Sequence, residues 1–248
     1  YVFAADEIRK EIQDIRKSSA GTGMMGVMGN KGGVSVRFNL FDSSICFVNS
    51  HLSSGASKND MRQLDFENIN EKCMFLGNPN QISDTSCPWR RNAKSYEEDK
   101  LIEDHSHVFW IGDLNYRMVA NTLKEVFDLT FAGDIKTLLT RDMLNMEKNE
   151  KKTVFQGYNE GEITFLPTYK FTPGTNNYEN RPDKKIRAPA FCDRVLWKTT
   201  CEESVKQRSY DRAMLTPSDH KPVFATFEVT LCKIDQAKER TMLGDTYR

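Results

Sequence analysis

None of the six cysteines, Cys46, Cys73, Cys87, Cys192, Cys201 and Cys232, stands in C-x-x-C spacing with another. That excludes the usual structural zinc module and the dense disulfide framework of a small secreted domain. It points instead to a reducing, intracellular setting, with Cys46 and Cys192, which have apolar neighbours, as buried thiols. No apolar run approaches the roughly 18 residues that suggest a membrane span. The opening YVFAADEIRKEI is no signal peptide, because its apolar stretch is short and acids follow at once. An excess of either charge is also missing. With 35 basic and 35 acidic residues the formal charge is zero, so no global field draws the chain onto nucleic acid. Internal repeats and low-complexity linkers are absent as well.

What is present suits one globular domain. A chain of 248 residues, 38% of them hydrophobic, can bury a sizeable core. Patterning predicts a strand remnant at residues 1–4 and a helix over 6–16, where Ile8, Ile12 and Ile15 share a face. Strands follow over 34–40 and 44–49 about a turn at 41–43, then a helix over 57–76 and an Asn-, Pro- and Ser-rich loop over 77–91. Residues 96–104 hold a short helix. HVFWI at 107–111 is a buried strand, and 122–128 and 135–147 are helices. Strand pieces surround a loop at 172–184, with further strands over 193–198 and Val223–Val229. Strands adjacent in sequence favour antiparallel pairing, so the expected class is α/β with mainly antiparallel sheets. Residues 1–230 form the domain, and 231–248 are a polar tail, helical or frayed.

Four signatures place polar, reactive residues beside a β-rich apolar run. FVNSHL brings Asn49 and His51 to a strand end. VFWIGDLNYR supplies Asp113, Asn115, Tyr116 and Arg117. RAPAFCDRVLW carries Arg187, Asp193 and Arg194, and TPSDHKPVFATF carries Ser218, Asp219 and His220. Asp113 and Asn115 are two apart, which in extended geometry turns both to one side. Converging Asp, Asn and His on a sheet rim suit phosphoryl transfer to water, which needs a base, donors to the phosphoryl oxygens and a hard cation. Each residue alone has a plainer reading. GD and SD are turn dipeptides, Asp219 is a capping residue, His51 a half-buried histidine, and Asp193 a structural partner of Arg194. The chemistry rests on their occurring together.

The set GNKGGVSVRF, FVNSHL, WIGDLNYR, TYKF, RAPAFCDRVLWK and SDHKPV, running in that order from about Gly21 to Val229, resembles the inositol polyphosphate 5-phosphatases. Among these it is similar to the type II group that includes the Lowe syndrome protein. The resemblance implies a DNase I-like β-sandwich flanked by helices, shared with nucleases and neutral sphingomyelinases, here lacking its first strands. It implies Mg²⁺-dependent removal of the 5-phosphate from phosphoinositides or soluble inositol polyphosphates. On that similarity Asp113 positions or deprotonates the attacking water. Asn115, His51 and His220 hold the scissile phosphate, Asp193 keeps His220 protonated, and Asp219 serves near the metal. The family also has an Asn and a Glu in metal binding that belong upstream of Tyr1. The chain is therefore expected to be a front-truncated domain of weakened activity.

Tyr169, Lys170, Lys185 and Arg187 bracket one loop, and the family uses the matching positions to read the inositol 4-phosphate. Arg forks grip phosphate in bidentate fashion and Lys acts as a point charge, whereas the plainer reading is a solvated basic loop. Lys31 in GNKGG and Arg117 complete the expected substrate set. Met24, Met25, Val27 and Met28 offer either core packing or a contact with acyl chains at a membrane surface. The expected location is cytoplasmic and peripheral to membranes. A nuclease on the same scaffold and a non-catalytic lipid-binding module are the competing functions. Zero net charge and the TYKF and KIRAP segments speak against the nuclease.

Overall fold

The computed structural model describes residues 1–23, 29–76, 100–235 and 238. Alternation of side chains across one sheet explains most of the architecture. Strands β1 (Ile12–Gly21), β2 (Gly32–Leu40) and β3 (Ser43–His51) form an antiparallel meander, and β3 runs parallel to β4 (His107–Asp113). β4 is antiparallel to β6 (Asp193–Thr199), and the short β5 (Asn159–Glu160) closes the far edge, giving the order β1-β2-β3-β4-β6-β5. A second, two-stranded sheet joins β7 (Val205–Arg212) to β8 (Val223–Val229).

On one face of the large sheet Cys46, Val48, Val108, Trp110 and Leu196 pack under helix α2 (Asn59–Lys72), against its Phe66 and Ile69. On the other face Ile45, Phe47, Phe109 and Trp197 meet Phe227 and Val229 of β8. Odd and even positions of the same strands thus feed two cores, as a period of two requires. The result is the expected α/β sandwich of mainly antiparallel sheets. A groove of about 640 Å³ runs between the sheets, lined by Phe47, Ile111, Val195 and Phe224 among others, with Asp113 and Asp193 also on its wall.

Several expectations change. Helix α1 is only Asp6–Arg9, and β1 begins at Ile12. The spacing of Ile8, Ile12 and Ile15 matches a helix, but Ile8 and Ile15 face solvent and only Ile12 packs against the core. Pairing with the backbone edge of β2 outweighs a pattern with so little to bury. Residues 1–4 form no strand. Helix α3 (Leu123–Ala132) is longer than expected, ending at left-handed Gly133, and the single helix over 135–147 is broken. It comprises α4 (Ile135–Thr140), α5 (Met143–Asn145) and a wide turn at Met146–Lys151. The break falls at Asp142, whose carboxylate caps α5 at Asn145 N (3.0 Å) and pairs with Arg194 (2.8 Å). β7 went unread because only Val205 and Tyr210 of its length are buried. The strand pieces around the 172–184 loop become isolated bridges, and residues 231–235 are irregular. The loop at 77–91, the first residues of the 96–104 helix and the apolar stretch Met24, Met25, Val27 and Met28 lie outside the described residues.

Gly112 holds β3 and β4 together just before the rim. Its φ is +133°, and a Cβ there would lie 2.1 Å from Ser50 O and 2.8 Å from Asn49 Oδ1. Gly112→Ala is expected to lower the thermal midpoint by several degrees and to cost activity, since the Ser50 carbonyl cannot yield without shifting the strand and the positive φ strains any side chain. An unchanged midpoint would contradict this packing.

Candidate active site

Strand register builds the site. His51 pairs with Asp113 across the parallel β3–β4 ladder, and Asp113 pairs with Asp193 across the antiparallel β4–β6 ladder. The C-terminal ends of β3 and β4 and the N-terminal end of β6 therefore meet at one rim, placing three reactive side chains in a row. Gly32 pairs with His51 on the other side, which brings Lys31 into the row. His220 arrives from the segment before β8 and bridges to Tyr169, which also bridges to Ala190 beside β6.

At the centre stands Asp113. Its Oδ1 accepts from Asn115 N (3.0 Å), and its Oδ2 accepts from Asn115 Nδ2 (3.0 Å) and lies 3.2 Å from His51 Nε2 and 4.0 Å from His220 Nε2. Burial works to raise its pKa, but the His51 hydrogen bond and the charges of His220, His51 and Lys31 outweigh burial and hold the carboxyl below its ordinary range. Such an ionised, weakly basic carboxylate suits the orienting of water better than its early deprotonation.

His220 Nδ1 lies 2.9 Å from Asp193 Oδ2, which leaves Nε2 facing Asp113. Burial works against charge on this imidazole, yet the Asp193 hydrogen bond and the charges of Asp193, Asp113 and Asp219 prevail and raise its pKa. The ring also packs against Tyr169, centroids 4.6 Å apart. Lys31 Nζ and Asp113 Oδ2 both approach His51 Nε2, and one nitrogen cannot accept from Lys31 and donate to Asp113 at once. Burial, the leading influence, lowers the Lys31 pKa despite Asp113 nearby. A phosphoryl group at this point would take donors from both side chains.

Asn115 does not continue the strand. Its φ is +57°, so the chain turns back and the buried amide folds onto Asp113. The two-residue spacing therefore brings the pair together through a turn rather than through extended backbone. Its Nδ2 donates to Leu52 O and Asp113 Oδ2, both at 3.0 Å, which uses both amide hydrogens and leaves none for a phosphate. Arg117 donates to Asn115 O from Nε (3.1 Å) and to Asn115 Oδ1 from Nη2, and its guanidinium lies 4.4 Å from the Tyr169 ring centroid. Buried and committed, Arg117 orders the site from beneath. Asp219 is half-buried and acts on His220 through its charge.

Lys170 follows Tyr169 and is half-buried, as is Arg187, while Lys185 is exposed. Among the described residues the Lys185 and Arg187 side chains make no hydrogen bond or ion pair, so both cationic heads are uncommitted. Sequence reasoning missed Thr168, whose hydroxyl donates to Asp193 Oδ2 at 2.7 Å. Its place directly before Tyr169 was the available signal. Cys192, fully buried beneath the rim, has its thiol pushed well up by burial and is no thiolate nucleophile.

The ligand atoms of Asp113, Asp193 and His220 lie within 4.8 Å of one another, a cluster able to hold a metal ion. The family described as Endonuclease/Exonuclease/phosphatase family 2 matches residues 1–226. The chain belongs to this family. Within it, the chain is 35% identical over its full length to the mouse type II inositol 1,4,5-trisphosphate 5-phosphatase, covering 23% of that protein. It is 40% identical over 92% of its length to type I inositol polyphosphate 5-phosphatase 5 of Arabidopsis thaliana, covering 41% of that protein. The chain thus spans less than half the length of these relatives. Its fold superposes with a TM-score of 0.80 on the inositol polyphosphate 5-phosphatase domain of SPsynaptojanin, solved with inositol (1,4)-bisphosphate and a calcium ion. Identity there is 30%, covering 98% of this chain and 62% of that one.

Proposed function

We propose that the chain is the catalytic part of a Mg²⁺-dependent phosphatase that releases the 5-phosphate of phosphatidylinositol 4,5-bisphosphate and related soluble inositol polyphosphates. The observation that carries this reading is the rim itself, an ionised Asp113 set between His51 and an Asp193-backed His220. Asp113 orients water toward phosphorus. His220, whose charged form Asp193 favours, donates Nε2–H to a phosphoryl oxygen, and Lys31 and His51 offer N–H groups to the others. The solved 5-phosphatase domain with its inositol bisphosphate and calcium ion supports both the substrate class and a divalent cation.

The donor set fits such an ion. Asp113 and Asp193 supply the hard oxygen ligands that Mg²⁺ prefers over softer sites, with the charge of Asp219 nearby, while His220 remains committed to Asp193. A bound Mg²⁺ would draw off charge that builds on the phosphoryl and leaving oxygens. Tyr169, Lys170, Lys185 and Arg187 form the reader of the neighbouring 4-phosphate, supported by the uncommitted heads of Lys185 and Arg187. No described helix is long and apolar enough to cross a membrane, and the reading is of a cytoplasmic enzyme that touches membranes transiently to reach lipid.

Phosphate release should be measured on inositol lipids carrying 4,5-bisphosphate or 5-phosphate alone, with and without Mg²⁺. Release is expected to need Mg²⁺. Lys185→Ala with Arg187→Ala should raise KM for the bisphosphate by about 10-fold or more, the worth of a charge-assisted contact, and barely alter the monophosphate. Mg²⁺-independent release, or equal loss on both substrates, would contradict the reading.

A further inference from the structure

Asp193 and His220 come from segments far apart in the chain, and one residue holds both. Thr168 is fully buried and its hydroxyl donates to Asp193 Oδ2 at 2.7 Å, the same oxygen that His220 Nδ1 approaches at 2.9 Å. Its backbone carbonyl accepts from Lys221 N at 2.9 Å, directly after His220. Tyr169, the next residue, exchanges backbone hydrogen bonds with Ala190 in both directions, at 3.2 and 2.8 Å, three residues before Asp193. The Thr168–Tyr169 pair therefore stitches the start of β6 to the segment leading into β8.

We infer that Thr168 is the positioning residue of the Asp193–His220 pair. Its hydroxyl selects the carboxylate rotamer that meets Nδ1, and so turns Nε2 of His220 toward the reacting phosphate. Without this hydroxyl the carboxylate would be held about χ2 by His220 alone, in a torsion that is broad and roughly two-fold. The inference rests on the proposed phosphatase reading for its catalytic consequence, while the positioning itself is a matter of geometry.

Thr168→Val keeps the branched shape and removes the hydroxyl, and Thr168→Ser restores it. The Val variant is expected to lose about 10- to 100-fold in kcat, the range seen for groups that orient a reacting residue, with KM little changed. The Ser variant should recover most of that loss. Imidazole ¹H–¹⁵N spectra give a readout independent of turnover. The chain has only four histidines, and His220→Gln assigns the signal. The downfield Nδ1 proton of His220 should vanish or move in Thr168→Val and persist in Thr168→Ser. An unchanged Nδ1 signal in Thr168→Val overturns the inference, as does a kcat loss that Ser fails to rescue. If the parent chain releases no phosphate but the Nδ1 signal follows the hydroxyl, the phosphatase reading fails and the positioning role stands.

Discussion

Asp113→Asn is expected to reduce kcat on a 4,5-bisphosphorylated inositol by on the order of 10²–10⁴, the usual worth of a positioned acid–base group. The effect on KM should be far smaller. The substitution keeps the side chain's size and removes its charge, so it tests the charge itself. Asp113 accepts from Asn115 N and Asn115 Nδ2 and lies against His51 and His220, so every neighbour is a donor or a cation. An amide cannot accept at both of its heavy atoms, and at least one contact becomes donor against donor. The charge that helps keep His220 protonated is lost at the same time. Activity in the parent should hold a plateau around neutral pH. It should fall in acid as Asp113, whose pKa is lowered, takes up a proton, and fall in base as His220, whose pKa is raised, gives one up. A variant within 10-fold of the parent at equal thermal midpoint would remove Asp113 from the mechanism.

The largest effect on stability is expected at Arg194, the neighbour of Asp193 on the opposite face of β6. Its guanidinium is fully buried and donates to Asp142 Oδ1 (2.8 Å), to both Glu160 oxygens (2.6 Å each) and to Asn145 Oδ1 (3.2 Å). It ties β6 to α5 and β5, and Glu160 also accepts from Tyr210 of β7 (2.9 Å). Arg194→Met leaves two buried carboxylates without their cation, which costs about 3–5 kcal/mol. Thermal or urea unfolding should show this loss, and adding Asp142→Asn and Glu160→Gln should recover part of it. The pH dependence provides a separate check. Burial raises the Asp142 pKa above the ordinary aspartate range even with Arg194 opposing, and the variant loses that opposition. A carboxyl raised in the folded state binds more protons there than when unfolded, so folding gains stability as pH falls toward the unfolded value of about 4. The deficit of Arg194→Met should accordingly narrow from pH 8 to pH 5. A deficit below about 1 kcal/mol, or one that widens in acid, would rule out this account of the buried triad.

The central strands and the chemistry were legible in the sequence because both depend on short-range pattern. FVNSHL and VFWIGD show apolar runs ending in reactive residues, and in the structure these runs are β3 and β4 with His51 and Asp113 at their ends. What escaped depends on partners distant in the chain. β1 is an edge strand with a mostly solvent-facing surface, and its isoleucine spacing imitated a helix. The break at Asp142 is set by Arg194, fifty-two residues away, through a bond that no local window contains. Asn115 and Arg117 were singled out as phosphate contacts, and in the structure their polar groups are directed to Asp113 and to each other. Thr168 carries no chemistry by residue type and gains a role only when Asp193 and His220 are brought to it.

The row His51–Asp113–Asp193 has a consequence for how such a chain tolerates changes in length. Its members sit directly opposite one another on three neighbouring strands, joined by long connections. Insertions at exposed turns of those connections, such as residues 56–58 and 173–174, leave the row aligned, since loop closure grows costly only slowly with length. Deleting a single residue within β4 would instead turn Asp113 from the rim to the opposite face, because side chains alternate along a strand. Length variation among descendants of this chain should accumulate in such exposed turns and stop sharply at the strand boundaries.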